Sequence, residues 1–107
     1  MDELRRLRDE AETEVRELDQ SLRALFEASQ DSNVDDEHDP EGSTIAYERA
    51  QLTAVLAAAR RRLRDLDDAL SRVGAGSYGV CETCGQPIPP DRLEARPHAR
   101  TCVGCAA

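Results

Sequence analysis

The sequence predicts a mainly α-helical protein, a long antiparallel helical hairpin of the coiled-coil kind followed by a small cysteine-bearing module. Three observations carry this. Two apolar arrays of similar length recur at helical spacing, one short segment containing Pro40 and Gly42 separates them, and all four cysteines lie beyond residue 80. Composition agrees: one Phe, two Tyr and no Trp cannot build a broad aromatic core. Charged residues at 34%, set among Leu, Ala and Val, suit amphipathic helices.

The first array is Leu4, Leu7, Ala11, Val15, Leu18, Leu22, Leu25. Its steps of three and four residues trace a stripe close to a heptad seam, and no Pro or Gly interrupts it. This predicts a helix over about 2–30. The next segment, 31–43, has no apolar period, so it is read as the tip loop of a hairpin. A second helix is expected over about 44–73, from Ile45, Leu52, Leu56, Ala59, Leu63, Leu66, Leu70 and Val73, with Arg49 interrupting the array. Ser43 or Thr44 could cap it, or Asp39 could do so earlier with Pro40 at the first helical position. Gly74 follows the last periodic residue, where a left-handed glycine would end the helix. Each helix would span about 45 Å.

Folding the chain back about Glu37 pairs residues whose numbers sum to 74. Leu18 then meets Leu56, Val15 meets Ala59 and Leu4 meets Leu70, with large residues partly opposite small ones, as interdigitating packing requires. The arrays would also match after a seven-residue slip, and two such helices can associate between chains. Similar lengths and a single short break favour the intramolecular hairpin. Phe26 would then sit near Tyr47 or Glu48, where the two aromatics are expected as packing caps.

The cysteines read Cys81-Glu82-Thr83-Cys84, seventeen intervening residues, then Cys102-Val103-Gly104-Cys105. This is the spacing of a four-thiolate zinc site, because a two-residue gap lets both sulfurs of one knuckle reach a single tetrahedral ion. Gly85 and Gly104 suit the tight turns around the sulfurs. Four thiolates close the coordination sphere, so the zinc (one per chain) is expected to be structural. His98 raises a mixed-ligand alternative, but four cysteines suffice, and it is read as a surface side chain. About 34 residues bury too little apolar area to fold alone, so metal would supply folding free energy. The domains expected are a hairpin over 1–73 and a four-cysteine zinc finger over 74–107.

Charge narrows the function classes. The net charge is −8, and all fourteen basic residues are Arg. That balance argues against direct nucleic-acid binding, which normally shows a basic footprint. Residues 31–43 hold six acids and no Arg, whereas 44–73 carry six Arg against four acids. No apolar run approaches the roughly 20 residues of a membrane span. Met1-Asp2-Glu3-Leu4-Arg5-Arg6 lacks the apolar stretch of a secretory signal. A cytoplasmic monomer is expected, and in that reducing compartment paired Cys-x-x-Cys motifs favour metal over disulfides. No Ser/His/Asp set, open metal site or phosphate loop is present, so an enzyme is not expected.

Gly76-Ser77-Tyr78-Gly79-Val80-Cys81-Glu82-Thr83-Cys84-Gly85, then Ile88, Arg92-Leu93-Glu94-Ala95-Arg96-Pro97 and Cys102-x-x-Cys105, resemble the zinc finger of the DksA/TraR family. That family also carries a long helical hairpin before its finger, so the resemblance covers nearly the whole chain. It implies a bacterial transcription regulator that binds RNA polymerase directly, without DNA contact. The hairpin of such a protein enters the polymerase secondary channel, and acids at its tip act near the catalytic centre. The candidate tip residues here are Asp35, Asp36, Asp39 and Glu41. Well-studied members carry Asp-x-x-Asp-x-Ala, whereas the gapless counterpart here is His38-Asp39-Pro40-Glu41-Gly42-Ser43. Glu41 could replace the second acid and Asp39, after a shift, the first; the Ala is missing. Members that respond to guanosine tetraphosphate use basic residues at positions matching Ala58, Asp65 and Ala106, none of which is basic. The altered tip also supports an alternative, a zinc-stabilised interaction adaptor without channel activity.

Overall fold

The computed structural model describes residues 2–32 and 40–106. Two long helices dominate, α1 over Asp2–Ser32 and α2 over Pro40–Ala75, followed by a short α3 over Pro90–Ala95 and a 3-10 turn over Val103–Cys105. Among the described residues the β pairing amounts to one isolated antiparallel bridge, Val80 to Pro87. Asp2 and Glu3 in the first turn of α1 face the positive end of its dipole, and Arg6 pairs with Glu3 and Glu10 along the same helix.

The chain forms two compact units, one of Met1–Glu10 with Arg62–Ala107 and the other of Ala11–Arg61. In the first, the amino-terminal turns of α1 lie beside the carboxy-terminal part of α2, with Arg8 Nε donating to Asp67 at 2.8 Å. In the second, Arg60 reaches Asp19 at 3.5 Å, and the Arg49 guanidinium lies 4.9 Å from the centre of the Phe26 ring. Both units therefore pair the helices antiparallel. Two of these three contacts join residues whose numbers sum to 75 and the third to 79. The two at 75 favour the register near 74 over a slip of seven.

Every residue of both predicted apolar arrays is buried or half-buried, with Leu4, Ala11, Leu56, Ala59 and Leu66 the most enclosed. Ala69 is fully buried as well. Alanine suits exposed and buried helix positions alike, so periodicity alone did not single it out.

The helix ends depart from expectation. α2 starts at Pro40, so Ser43 and Thr44 lie inside it rather than capping it. Proline loses nothing at a first helical position, where the N–H has no helical acceptor. Asp39, the other expected cap, lies outside the described residues. At the far end Gly74 is helical, and the left-handed residue is Gly76, at φ 78°. Gly76 N–H donates to Val73 O at 3.1 Å and Ser77 N–H to Arg72 O at 2.9 Å. These two bonds are a Schellman motif, which takes up two of the last carbonyls. Periodicity marks the last seam residue, whereas the stop falls where backbone donors can turn back.

The aromatics also differ from expectation. Tyr47 is 68% exposed and Phe26 42%, so neither closes the seam. Phe26 instead offers its ring face to the half-buried Arg49, a cation–π contact.

Candidate metal centre

Two knuckles carry the cysteines. In the first, Cys81 N–H donates to Gln86 O at 2.8 Å and Gly85 N–H returns to Cys81 O at 2.9 Å. Gly85 makes that reversal at φ 76°, where a side chain would be strained. In the second, the 3-10 turn bends the chain back, with Cys105 N–H and Ala106 N–H both donating to Cys102 O at 3.1 Å. Gly104 sits inside this turn without a positive φ, so of the two glycines expected at tight turns only Gly85 needs its freedom. Glu82 N–H donates to Arg100 O at 2.9 Å and ties the knuckles together.

The result is a cluster of four sulfurs, from Cys81, Cys84, Cys102 and Cys105, all within 4.8 Å of one another. Cys84 and Cys102 sulfurs stand 3.8 Å apart. A tetrahedral site with Zn–S near 2.3 Å has sulfur–sulfur edges of about 3.8 Å, so the donor set fits that ion. His98 is not part of the cluster.

The electrostatics point the same way. Backbone N–H groups of Cys84 and then Cys102 aim at the Cys81 sulfur and draw its pKa down to about 6. Cys105, whose thiol proton is held by hydrogen bonding first toward Cys102 and then toward Cys84 and Cys81, is pushed up to about 12. Four thiolates this close resist full ionisation, and a dication at their centre removes that conflict. Bound by four sulfurs, such an ion has no open position for water or substrate, so the chemistry this donor set supplies is structural.

Polar groups outside the sulfur cluster hold the knuckles. Tyr78 Oη donates to Pro97 O at 3.0 Å, and burial raises its pKa despite the opposing charge of Arg72. Arg72 donates to the carbonyls of His98 and Ala99, and Arg92 to that of Thr101. Sequence reasoning singled out neither as a functional residue. Arg92 and Tyr78 lie inside the motif quoted above, whereas Arg72 carries no local signal. His98, expected at the surface, is half-buried with Nε2 4.0 Å from Asp65 Oδ2, and burial lowers its pKa.

The remaining candidates divide. Asp35, Asp36 and Asp39 lie outside the described residues. Glu41 falls in the first turn of α2, and its side chain too lies outside what is described. Ala58 is exposed on α2, while Asp65 and Ala106 line a cleft of about 370 Å³ together with Arg92, Arg96 and Arg100.

With this geometry in view, residues 76–107 match the family described as the prokaryotic dksA/traR C4-type zinc finger. Beyond the dksA/traR finger the likeness extends into the helices. General stress protein 16O of Bacillus subtilis (strain 168) is 40% identical over 76 residues, 71% of this chain and 47% of that protein. The RNA polymerase-binding transcription factor DksA of Caulobacter vibrioides is 52% identical over 44 residues, 41% of this chain and 31% of that protein. The chain thus spans less than half the length of these curated relatives. Among solved structures, transcription factor DksA2 from Pseudomonas aeruginosa matches with a TM-score of 0.60 and 26% identity, covering 94% of this chain and 78% of that one. The resemblance to the DksA/TraR family drawn from the sequence holds in all three comparisons. No helix among the described residues is long and apolar enough to cross a membrane.

Proposed function

We propose that this chain is a DksA-like transcription regulator that binds RNA polymerase directly and inserts the far end of its hairpin into the secondary channel. One observation carries the reading: a dksA/traR finger and two long antiparallel helices occur in one chain, and DksA2 matches 94% of it. Two features add support. At 31 and 36 residues, α1 and α2 rise about 46 and 54 Å, enough to reach into a deep channel. The six acids of 31–43 concentrate negative charge where α1 ends and α2 begins, suited to a metal- or Arg-lined destination. In this proposal the four cysteines hold one structural zinc per chain. The protein acts as a monomer in the cytoplasm without contacting DNA, and Asp35, Asp36, Asp39 and Glu41 form the acting end.

The test is a pull-down with core RNA polymerase, followed by transcription in vitro with Asp39→Asn/Glu41→Gln. The variant removes charge while nearly preserving shape, so polymerase binding should largely survive and the transcriptional effect should fall sharply. Binding with no effect from the wild type, or an effect indifferent to the tip, would favour the adaptor alternative. No binding to core polymerase would sink both the channel and the polymerase reading.

A further inference from the structure

The four carbonyls that lead into the second cysteine pair are all engaged, and three separate elements engage them. Arg72, in the last turn of α2, donates from one terminal nitrogen to His98 O at 3.1 Å and from the other to Ala99 O at 3.2 Å. Glu82 N–H, from the first knuckle, donates to Arg100 O at 2.9 Å. Arg92 Nε, from α3, donates to Thr101 O at 2.7 Å. Cys102 follows directly. The Arg100 side chain reinforces the arrangement, lying 3.3 Å from both Asp68 and Glu82.

Arg72 is the unusual member. Its side chain is only 13% exposed, and its Nε, 3.4 Å from Asp68, is buried without an aligned hydrogen bond. An arginine near a helix end ordinarily keeps its head in water. This one accepts desolvation in exchange for a two-pronged hold on consecutive carbonyls, a geometry that suits the planar guanidinium fork.

We propose that Arg72 and Arg92 are positioning residues of the metal centre. They are not ligands. They hold His98–Thr101 so that Cys102 and Cys105 arrive opposite Cys81 and Cys84, and so they set how fast the ion is lost. A site made of two knuckles releases its ion when one pair of sulfurs swings away, and a segment tied at four successive carbonyls cannot swing. By reciprocity, an ion that fixes Cys102 and Cys105 also strengthens the hold of Arg72 on the segment, coupling metal occupancy to the end of α2. The inference rests on the zinc reading above.

The experiment uses the full chain, purified with its zinc, and follows transfer of the ion to a chromogenic chelator alongside amide hydrogen exchange. Wild type should carry one zinc and release it slowly. Arg72→Ala and Arg92→Ala should each still carry zinc but release it about 10–100-fold faster, the usual range when a group supporting a ligand is removed. Protection of the Ala99 and Glu82 amides, which donate to Arg96 O and Arg100 O, should fall in both. Arg72→Lys keeps the charge beside Asp68 but cannot fork across two carbonyls, so it should also release quickly. Restoration of slow release by lysine would overturn the proposal, because charge alone would then suffice. Wild-type release rates in both alanine variants would overturn it too. If Arg72→Ala fails to fold, Arg92→Ala decides, since Arg92 lies on α3 rather than on either long helix. Wild type without zinc would remove the zinc reading and this inference together, an outcome distinct from zinc-loaded variants that release normally.

Discussion

Leu66 offers the sharpest test of how the helices are held. It lies in α2, is 1% exposed, and belongs to the unit that contains the finger. Leu66→Ala removes three carbons, about 2.4 kcal/mol at roughly 0.8 kcal/mol per buried methylene. Because Ala69 is fully buried on the next turn, the surroundings are packed and collapse only partly into the space. The cavity left behind brings the expected loss to about 3 kcal/mol. Leu18 is half-buried, so Leu18→Ala should cost about half as much, and Val55→Ala, at a residue 45% exposed, should lie within about 0.5 kcal/mol of wild type. Urea titration of the zinc-loaded proteins, followed by far-UV circular dichroism, measures all three if the m-value stays constant. The corresponding drop in Tm for Leu66→Ala is about 12 °C or more. A loss below about 1 kcal/mol, or one no larger than that of Leu18→Ala, would refute the packed seam.

Three further predictions follow from other features. Nothing lies within 4 Å of a Cβ added at Gly74 or Gly76, so substitution there reports backbone conformation alone. Gly76→Ala, at φ 78°, should destabilise by about 1 kcal/mol, and helical Gly74→Ala should stabilise by about 0.5–1 kcal/mol, both read by thermal unfolding. Elemental analysis of protein purified without added metal should find one zinc per chain, and Cys84→Ser should lower that ratio. A stable, metal-free wild type would contradict the donor-set argument. The last prediction concerns pH. Burial lowers the His98 pKa below its ordinary 6.5, against the pull of Asp65 and with the help of Arg96, Arg62 and Arg72. The unfolded chain therefore takes up the proton first as pH falls through about 6.5, and the folded state loses stability from there down to the depressed value. His98→Gln should narrow that loss relative to wild type below pH 6.5 and leave the pH dependence above 7 unchanged. Identical profiles for the two proteins would show that His98 titrates as if exposed.

The structure also bears on what can be read from residues alone. Leu4 through Leu25 and Ile45 through Val73 identify themselves as seams because helical burial imposes a period that the sequence must display. The four cysteines do the same, since one ion can be reached only from knuckles of fixed spacing. Both are local constraints, and both were legible before any coordinate was known. Ala69 was not, because alanine is tolerated everywhere on a helix. Asp35, Asp36 and Asp39 lie outside the described residues and Glu41 at the start of α2, so the part of the tip acids rests on charge and resemblance.

The sequence by itself determined the two helices, the four-sulfur cluster and the dksA/traR character of the finger, and it favoured an antiparallel pairing whose register the contacts of Arg8 and Arg49 then selected. Each of these follows from a short-range period or spacing. Only the tertiary structure decided that Gly76 rather than Gly74 ends α2, that Phe26 stacks on Arg49 instead of closing the seam, and that Arg72 holds carbonyls 26 and 27 residues away. An arginine's partner is set by which backbone oxygens the fold leaves without a donor, and that depends on where remote elements meet. No periodicity in the chain carries that information.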